Sequence, residues 1–145
     1  MRQPPAIVDE DARLRSFAQY EFGWGRSEPD LDAIVQLAAR MFDVPIAVVN
    51  MVDHDHVVFV AAVGADGCAM DREVSVCAHA ITGQETMIVH DAAIDPRFCD
   101  NPLVTGPSHF RFYAGVPLVN PSGHRRLGAS DGVRPDRTMA GRRAV

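Results

Sequence analysis

The chain has 145 residues, 47% of them hydrophobic, and a formal net charge of −5, which fits one domain with one substantial core. No stretch approaches the roughly 20 apolar residues of a bilayer span, and Met1 to Glu10 lacks the regions of a signal peptide, so membrane and secretory classes are set aside. Residues 1–123 carry 8 Arg against 17 acidic residues, which excludes a nucleic-acid surface, and Cys68, Cys77 and Cys99, with no CxxC pair, point away from disulfides and structural zinc toward a cytoplasmic setting.

In chain order, Ala12 to Phe22 is predicted as a short helix, with Asp9 as N-cap, Leu14, Phe17 and Ala18 on one face and Gly23 as the stop. A second helix starts at a capping box of Ser27 and Asp30, takes Pro29 in its first turn and ends before Pro45. Its apolar face is Leu31, Ile34, Val35, Ala38, Met41 and Phe42. Ile46 to Asp53 and Val57 to Val63 are β-branched, nearly continuous apolar runs, as in a sheet covered on both faces. Asp53, His54, Asp55 and His56 between them read as a polar hairpin turn in preference to a metal motif.

Asp71-Arg72-Glu73 reads as a solvated loop that Arg72 ties down. Ser75 is placed to cap a short helix running to Thr82 and closed by Gly83, and Thr86 to His90 is a third strand. Asp91 to Ser108, rich in Asp, Pro and Gly, is too long for a mere connection and reads as a binding loop or lid. His109 to Val119 alternates, with Phe110, Phe112, Val116 and Leu118 on one face and Arg111, Tyr113 and Pro117 on the other. A turn at Asn120 to Gly123 calls for a returning strand. Ala129 to Val145 holds glycines, arginines and Pro135 where a buried strand wants branched or aromatic residues, so 129–145 is predicted as a flexible tail after a domain spanning 1–128.

Two readings stay open for several residues. Cys77, near a helix N-terminus, is either an activated thiol or a small buried hydrophobe. His79 stands about 200° round the helix from it, so the two do not form a catalytic pair, and His79 is the better polar wall for a pocket. Arg111 and Tyr113 face either solvent or a polar cavity. Asp91, Asp95 and Arg97 serve either as ligand contacts or as loop pins.

The ordered segments Pro45-Ile46-Ala47, Asp53, Phe59, Arg72, VSVCAHAITG (74–83), Val89, Asp91, DPRF (95–98), NPLV (101–104) and RFYAG (111–115) with Pro117-Leu118 together resemble the GAF family of small-molecule sensor domains. The resemblance runs from about Arg13 to Gly128. It implies an α+β fold: a central antiparallel sheet with helices on one face and a ligand pocket under short helices and loops on the other. It also implies a non-enzymatic, cytoplasmic sensor that binds an unidentified small molecule through Phe59, Cys77, His79, Asp91, Arg111 and Tyr113, with an output protein or a second copy as partner. No catalytic residue, metal or identified cofactor goes with this reading, and neither nucleic acid nor membrane is expected as a partner. The family's final strand and helix are expected to be missing. Free methionine-(R)-sulfoxide reductases share the GAF fold, and the cysteines here resemble theirs in spacing, so a thiol enzyme is the alternative.

Overall fold

The computed structural model describes residues 2–20, 28–65, 67, 69–121 and 126–135. Helix α1 spans Glu10–Ala18. Asp9 holds the N-cap position, but its side chain makes no cap bond and its backbone is left-handed. The helix starts earlier than predicted because Glu10 suits the positive helix end and is gripped by Arg13 one turn on. Helix α2, Pro29–Met41, opens with Pro29 in its first turn. Ser27 of the expected capping box lies outside the described residues.

Only one stripe of α2 meets the sheet: Val35 is buried, and Leu31, Ala38 and Ala39 pack beside it. Ile34, Met41 and Phe42, expected inside, are exposed together with Leu37. The apolar arc of this helix is wider than its contact, a distinction that spacing alone cannot make.

Strands β1 (Ile46–Val52), β2 (His56–Val63), β3 (Ala69–Asp71), β4 (Met87–Val89), β5 (Phe110–Val119) and β6 (Arg126–Pro135) form one sheet in the order β3-β2-β1-β6-β5-β4. Every neighbouring pair is antiparallel. On β1, Ala47, Val49 and Met51 face α2, while Val52 joins a second core on the opposite face. Two bulges then reset side-chain parity. Val49 pairs with Ala61 but Asn50 with Phe59, so Val60 is the extra residue and Phe59 turns to the second face. Likewise Arg111 is the extra residue on β5, which puts Phe110 on the face of Tyr113 and not, as predicted, with Phe112 and Leu118.

The flexible tail predicted for 129–145 is corrected over its first part. Residues 126–135 form β6, hydrogen-bonded to β1 on one side and β5 on the other. Gly128 is required there because the neighbouring backbone comes too close for a side chain. A Cβ on Gly128 would stand 1.9 Å from the Asn50 carbonyl oxygen. Ala129 is fully buried, and Pro135 falls at the strand end, where its missing N–H costs little. Residues 136–145 lie outside the described region.

Facing the sheet opposite α2 is a layer of short elements: a 3-10 turn at Arg72–Val74, α3 (Cys77–Ala80), the 91–108 segment and α4 (Pro102–Thr105). Helix α3 is one turn long, shorter than the stretch predicted from Ser75 to Thr82. The 91–108 segment is no loose lid, since Phe98, Asn101 and Val104 are buried in it. Asn101 caps α4 by accepting from the Leu103 N–H and donates its amide to the Val74 carbonyl, so one side chain joins two parts of the layer.

A charged clasp holds the end of the sheet. Arg13, buried, donates to both carboxylate oxygens of Glu10 at 2.8 Å and to the Val52 carbonyl at 2.6 Å. Arg72 reaches the same carboxylate at 2.6 Å and the carbonyls of Asp53 and His54, tying down its loop as expected. Burial alone would raise the Glu10 pKa, but the two guanidiniums outweigh it and hold the carboxyl at about 2.

Candidate functional site

The second face of the sheet carries more polar chemistry than a core requires. Asp131, on the central strand β6, is buried; Tyr113 of β5 donates its hydroxyl to it at 2.6 Å and Asn50 of β1 its amide at 2.5 Å. The Asn50 side-chain oxygen accepts from the Ala129 N–H, so that amide is used on both ends. Gly115 leaves the room this requires, because a Cβ there would collide with the Tyr113 hydroxyl and the Asp131 carboxylate. Ser75 and Cys77 hydrogen-bond to each other, both buried, at the start of α3.

Removing Asp131 from water pushes its carboxyl up to about 7, against the two donors that favour the charge. Burial, and then the charge of Asp131, raises both the Tyr113 hydroxyl and the Cys77 thiol. Cys77 is therefore a protonated, enclosed thiol: of its two readings the structure supports the buried hydrophobe, and the helix-dipole effect does not overcome desolvation.

Among the described residues, the six predicted ligand residues take different positions. Cys77 and Tyr113 are buried in the core of this face, and Phe59 packs against it. Asp91 accepts from the Ala93 N–H in an Asx turn, a pinning role. Arg111 donates to the carbonyls of Val104 and Phe110, fastening α4 to β5. His79 alone lines a groove of about 490 Å³, with Thr82, Gln84, Met87 and Arg97 among its neighbours there.

The His79 ring meets Phe98 edge-on at 4.8 Å. It is 7% exposed, and both its nitrogens are buried without a formed hydrogen bond. Burial is the largest effect on its pKa and lowers it, joined by the charge of Arg97. Arg97 stacks over the Phe98 ring at 5.0 Å and is held by both oxygens of Asp95, whose carboxyl it keeps below its ordinary value. Asp95 also accepts from the Arg97 N–H, so Asp95 and Arg97 pin their own loop.

At the β1–β2 turn, His56 pairs with Asp55 in the open, and among the described residues no group of three or more His, Cys, Asp or Glu is placed to hold a metal ion. Cys99 is exposed, and Cys68 lies outside the described residues. Sequence reasoning missed Asn50, Asp131 and Arg13. Two of them carried a signal: an Asn inside the apolar run IAVVNMV and an Asp between small residues in GASDG are polar positions inside strands.

Comparison with known proteins agrees with this architecture. The family model described as GAF domain matches residues 28–137. The chain is 37% identical over 123 residues to a cyclic di-GMP phosphodiesterase of Pseudomonas aeruginosa, an alignment covering 85% of this chain and 21% of that protein. It thus spans about a fifth of that relative's length. Among solved structures it resembles the GAF domain of a phosphoenolpyruvate-protein phosphotransferase from Coxiella burnetii (TM-score 0.59, 16% identity, covering 86% of this chain and 77% of that one). It also resembles a type II free methionine-R-sulfoxide reductase from Thermoplasma acidophilum (TM-score 0.56, 17% identity, 72% of each chain), a likeness of fold alone. Among the described residues no helix is long and apolar enough to cross a membrane. With the sheet order, the layer of short helices and the family model all in agreement, this chain belongs to the GAF domain family.

Proposed function

We propose that this domain is a cytoplasmic regulatory sensor of bacterial signal transduction that binds a small molecule and performs no catalysis of its own. The observation that carries this reading is the polar content of the face opposite α2: a buried carboxylate without a cation among its partners, and a buried imidazole with neither nitrogen bonded. Such groups are costly in a domain built only to be stable, and a ligand that meets them recovers part of that cost. Of the predicted contacts, His79 borders the groove, while Cys77 and Tyr113 lie in the core of the same face with Phe59 packed against it; Arg97, which also lines the groove, joins His79 as a candidate contact.

Binding would bias one conformation or assembly over another, which requires different affinity for the two states. The match to one-fifth of a phosphodiesterase suits an input module that passes its state to a separate output segment or protein. A homodimer is compatible with this, with the exposed Ile34, Leu37 and Met41 stripe of α2 as contact surface. Native mass spectrometry of protein purified from its own cells is the test. A stoichiometric small molecule released on denaturation is expected. Ligand-free protein whose melting temperature responds to no member of a metabolite library would reject the reading.

A further inference from the structure

We propose that the groove beside α3 takes an uncharged small molecule with an amide-type edge, a carbonyl beside an N–H, and discriminates against anions. This names a ligand class for the sensor reading and rests on that reading. Two side chains that line the groove, His79 and Arg97, lean on one ring: the imidazole meets Phe98 edge-on at 4.8 Å, and the guanidinium carbon lies 5.0 Å from the same centroid. At about 490 Å³ the groove is within the range of small-molecule sites, and Ala80 and Met87 give it an apolar wall.

The charges select against an anion. Among the described residues that line the groove, Arg97 is the one full cation, and it is already matched: Asp95 accepts from its Nε at 3.0 Å and from its Nη2 at 2.7 Å, a two-pronged grip. Glu85 adds an exposed carboxylate to the lining. A phosphate or carboxylate ligand therefore meets a neutralised cation and a like charge. What remains open is hydrogen bonding. Nη1 of Arg97 has the Met87 sulfur at 3.7 Å, a weak acceptor that a carbonyl oxygen readily replaces. The His79 ring, kept neutral by burial, has one nitrogen that donates and one that accepts; both are shielded from water, and neither has a partner. Rotation about its terminal side-chain torsion, which is soft, turns a nitrogen toward the groove. A carbonyl on Nη1 with an N–H on the accepting nitrogen of His79 complements this pair, and amides, lactams and imides carry both groups side by side. A carboxylate offers acceptors only.

Matched probes that differ only in the amide test this: nicotinamide against nicotinate, benzamide against benzoate and acetamide against acetate, with inorganic phosphate as a further anion. In the purified chain labelled with 15N-histidine, the ring nitrogens of His79 report contact directly, and the exposed His54 and His90 serve as controls. At least one amide should shift the His79 nitrogens saturably at millimolar concentration, as suits so small a ligand, and should bind at least about tenfold more tightly than its carboxylate. His79→Phe keeps a ring against Phe98 but removes both nitrogens, and should weaken the amide at least about tenfold. Should that variant fail to fold, the spectra of the unmutated chain decide alone. Carboxylates or phosphate that bind as well as the amides, or a panel of amides that leaves His79 unmoved, would overturn the proposal. The two readings fail separately: an anionic metabolite released from the native protein retires the amide class and leaves the sensor, whereas amides that move His79 in a protein no metabolite stabilises keep the site and retire the sensor.

Discussion

Replacing Asp131 with Asn tests the polar layer through a pH dependence of definite sign. In the folded chain the carboxyl is pushed from 3.8 up to about 7, chiefly by burial. A raised pKa means that the folded state binds the proton more tightly than the unfolded state. The associated stability is fully present below about 3.9 and is lost as pH rises through 7. Three units at about 1.4 kcal/mol each set a ceiling of about 4 kcal/mol between pH 4 and pH 8. Asn cannot ionise, so its variant lacks this slope. It also pays a fixed cost, because one end of the new amide presents N–H groups to the Asn50 amide that now donates to Asp131, a clash of donors worth about 1–3 kcal/mol. The variant should therefore be the weaker protein at pH 4 and should equal or overtake the parent at pH 8. Urea unfolding at constant ionic strength measures both curves. Parallel stability profiles from pH 4 to 8 would refute the claim that Asp131 is buried without a compensating cation.

Glu10→Gln runs the opposite way. The Glu10 carboxyl is held at about 2 by Arg13 and Arg72, so its contribution is present above its ordinary value and is lost as pH falls toward 2. After discounting for its partial exposure, urea unfolding should show a loss of about 1–2 kcal/mol at pH 7 that shrinks below pH 4, and a deficit that does not shrink speaks against the clasp. Gly128→Ala forces a Cβ against the Asn50 carbonyl, and neither strand can give way inside the sheet, so a loss of about 1–3 kcal/mol or more in chemical denaturation is expected. Undiminished stability would mean that β6 does not lie beside β1 in this register. Finally, purified protein supplied with free methionine sulfoxide and a thiol reductant should show no turnover by amino-acid analysis, since Cys77 is enclosed and neither Cys99 nor Cys68, which would have to carry the attack on sulfur, has a histidine beside it in sequence. Robust reduction that disappears on mutating one cysteine would replace the sensor by the enzyme.

What the chain makes legible is whatever depends on local pattern. The β1–β2 hairpin follows from two β-branched runs, α2 from its 3.6-residue spacing after Pro29, and the existence of a short helix between Ser75 and Gly83 from those two residues, although it is one turn long and Val76, not Ser75, holds its N-cap position. The failures share a cause, which is that they depend on what lies across the fold. Ile34 and Met41 have core-like spacing, but the sheet meets only the Val35 side of their helix. Arg13 looks like a surface charge on a short helix, and its burial is decided by a carbonyl 39 residues away. Residues 126–135 look like a loop because a strand hemmed in on both sides takes small residues where its neighbours come close, and Gly128 and the fully buried Ala129 supply them.

The same crowding explains where the polar chemistry sits. A central strand poor in side chains leaves space above it, and that space is filled from its neighbours: Asn50 reaches in from β1 and Tyr113 from β5, each toward Asp131. Parity decides who takes part. Because Arg111 is the extra residue of a bulge, Phe110 and Tyr113 share a face, with ring centroids 6.2 Å apart, and the Tyr hydroxyl lies over Gly115, the one β5 residue whose Cβ would block it. Substituting Gly115, Asn50 or Tyr113 should therefore disturb one shared object, and their effects should not add. A strand chosen only for packing would fill this space with hydrocarbon. That β6 instead places a carboxylate there, beneath the helix that carries His79, ties the most polar part of the interior to the face on which the groove opens.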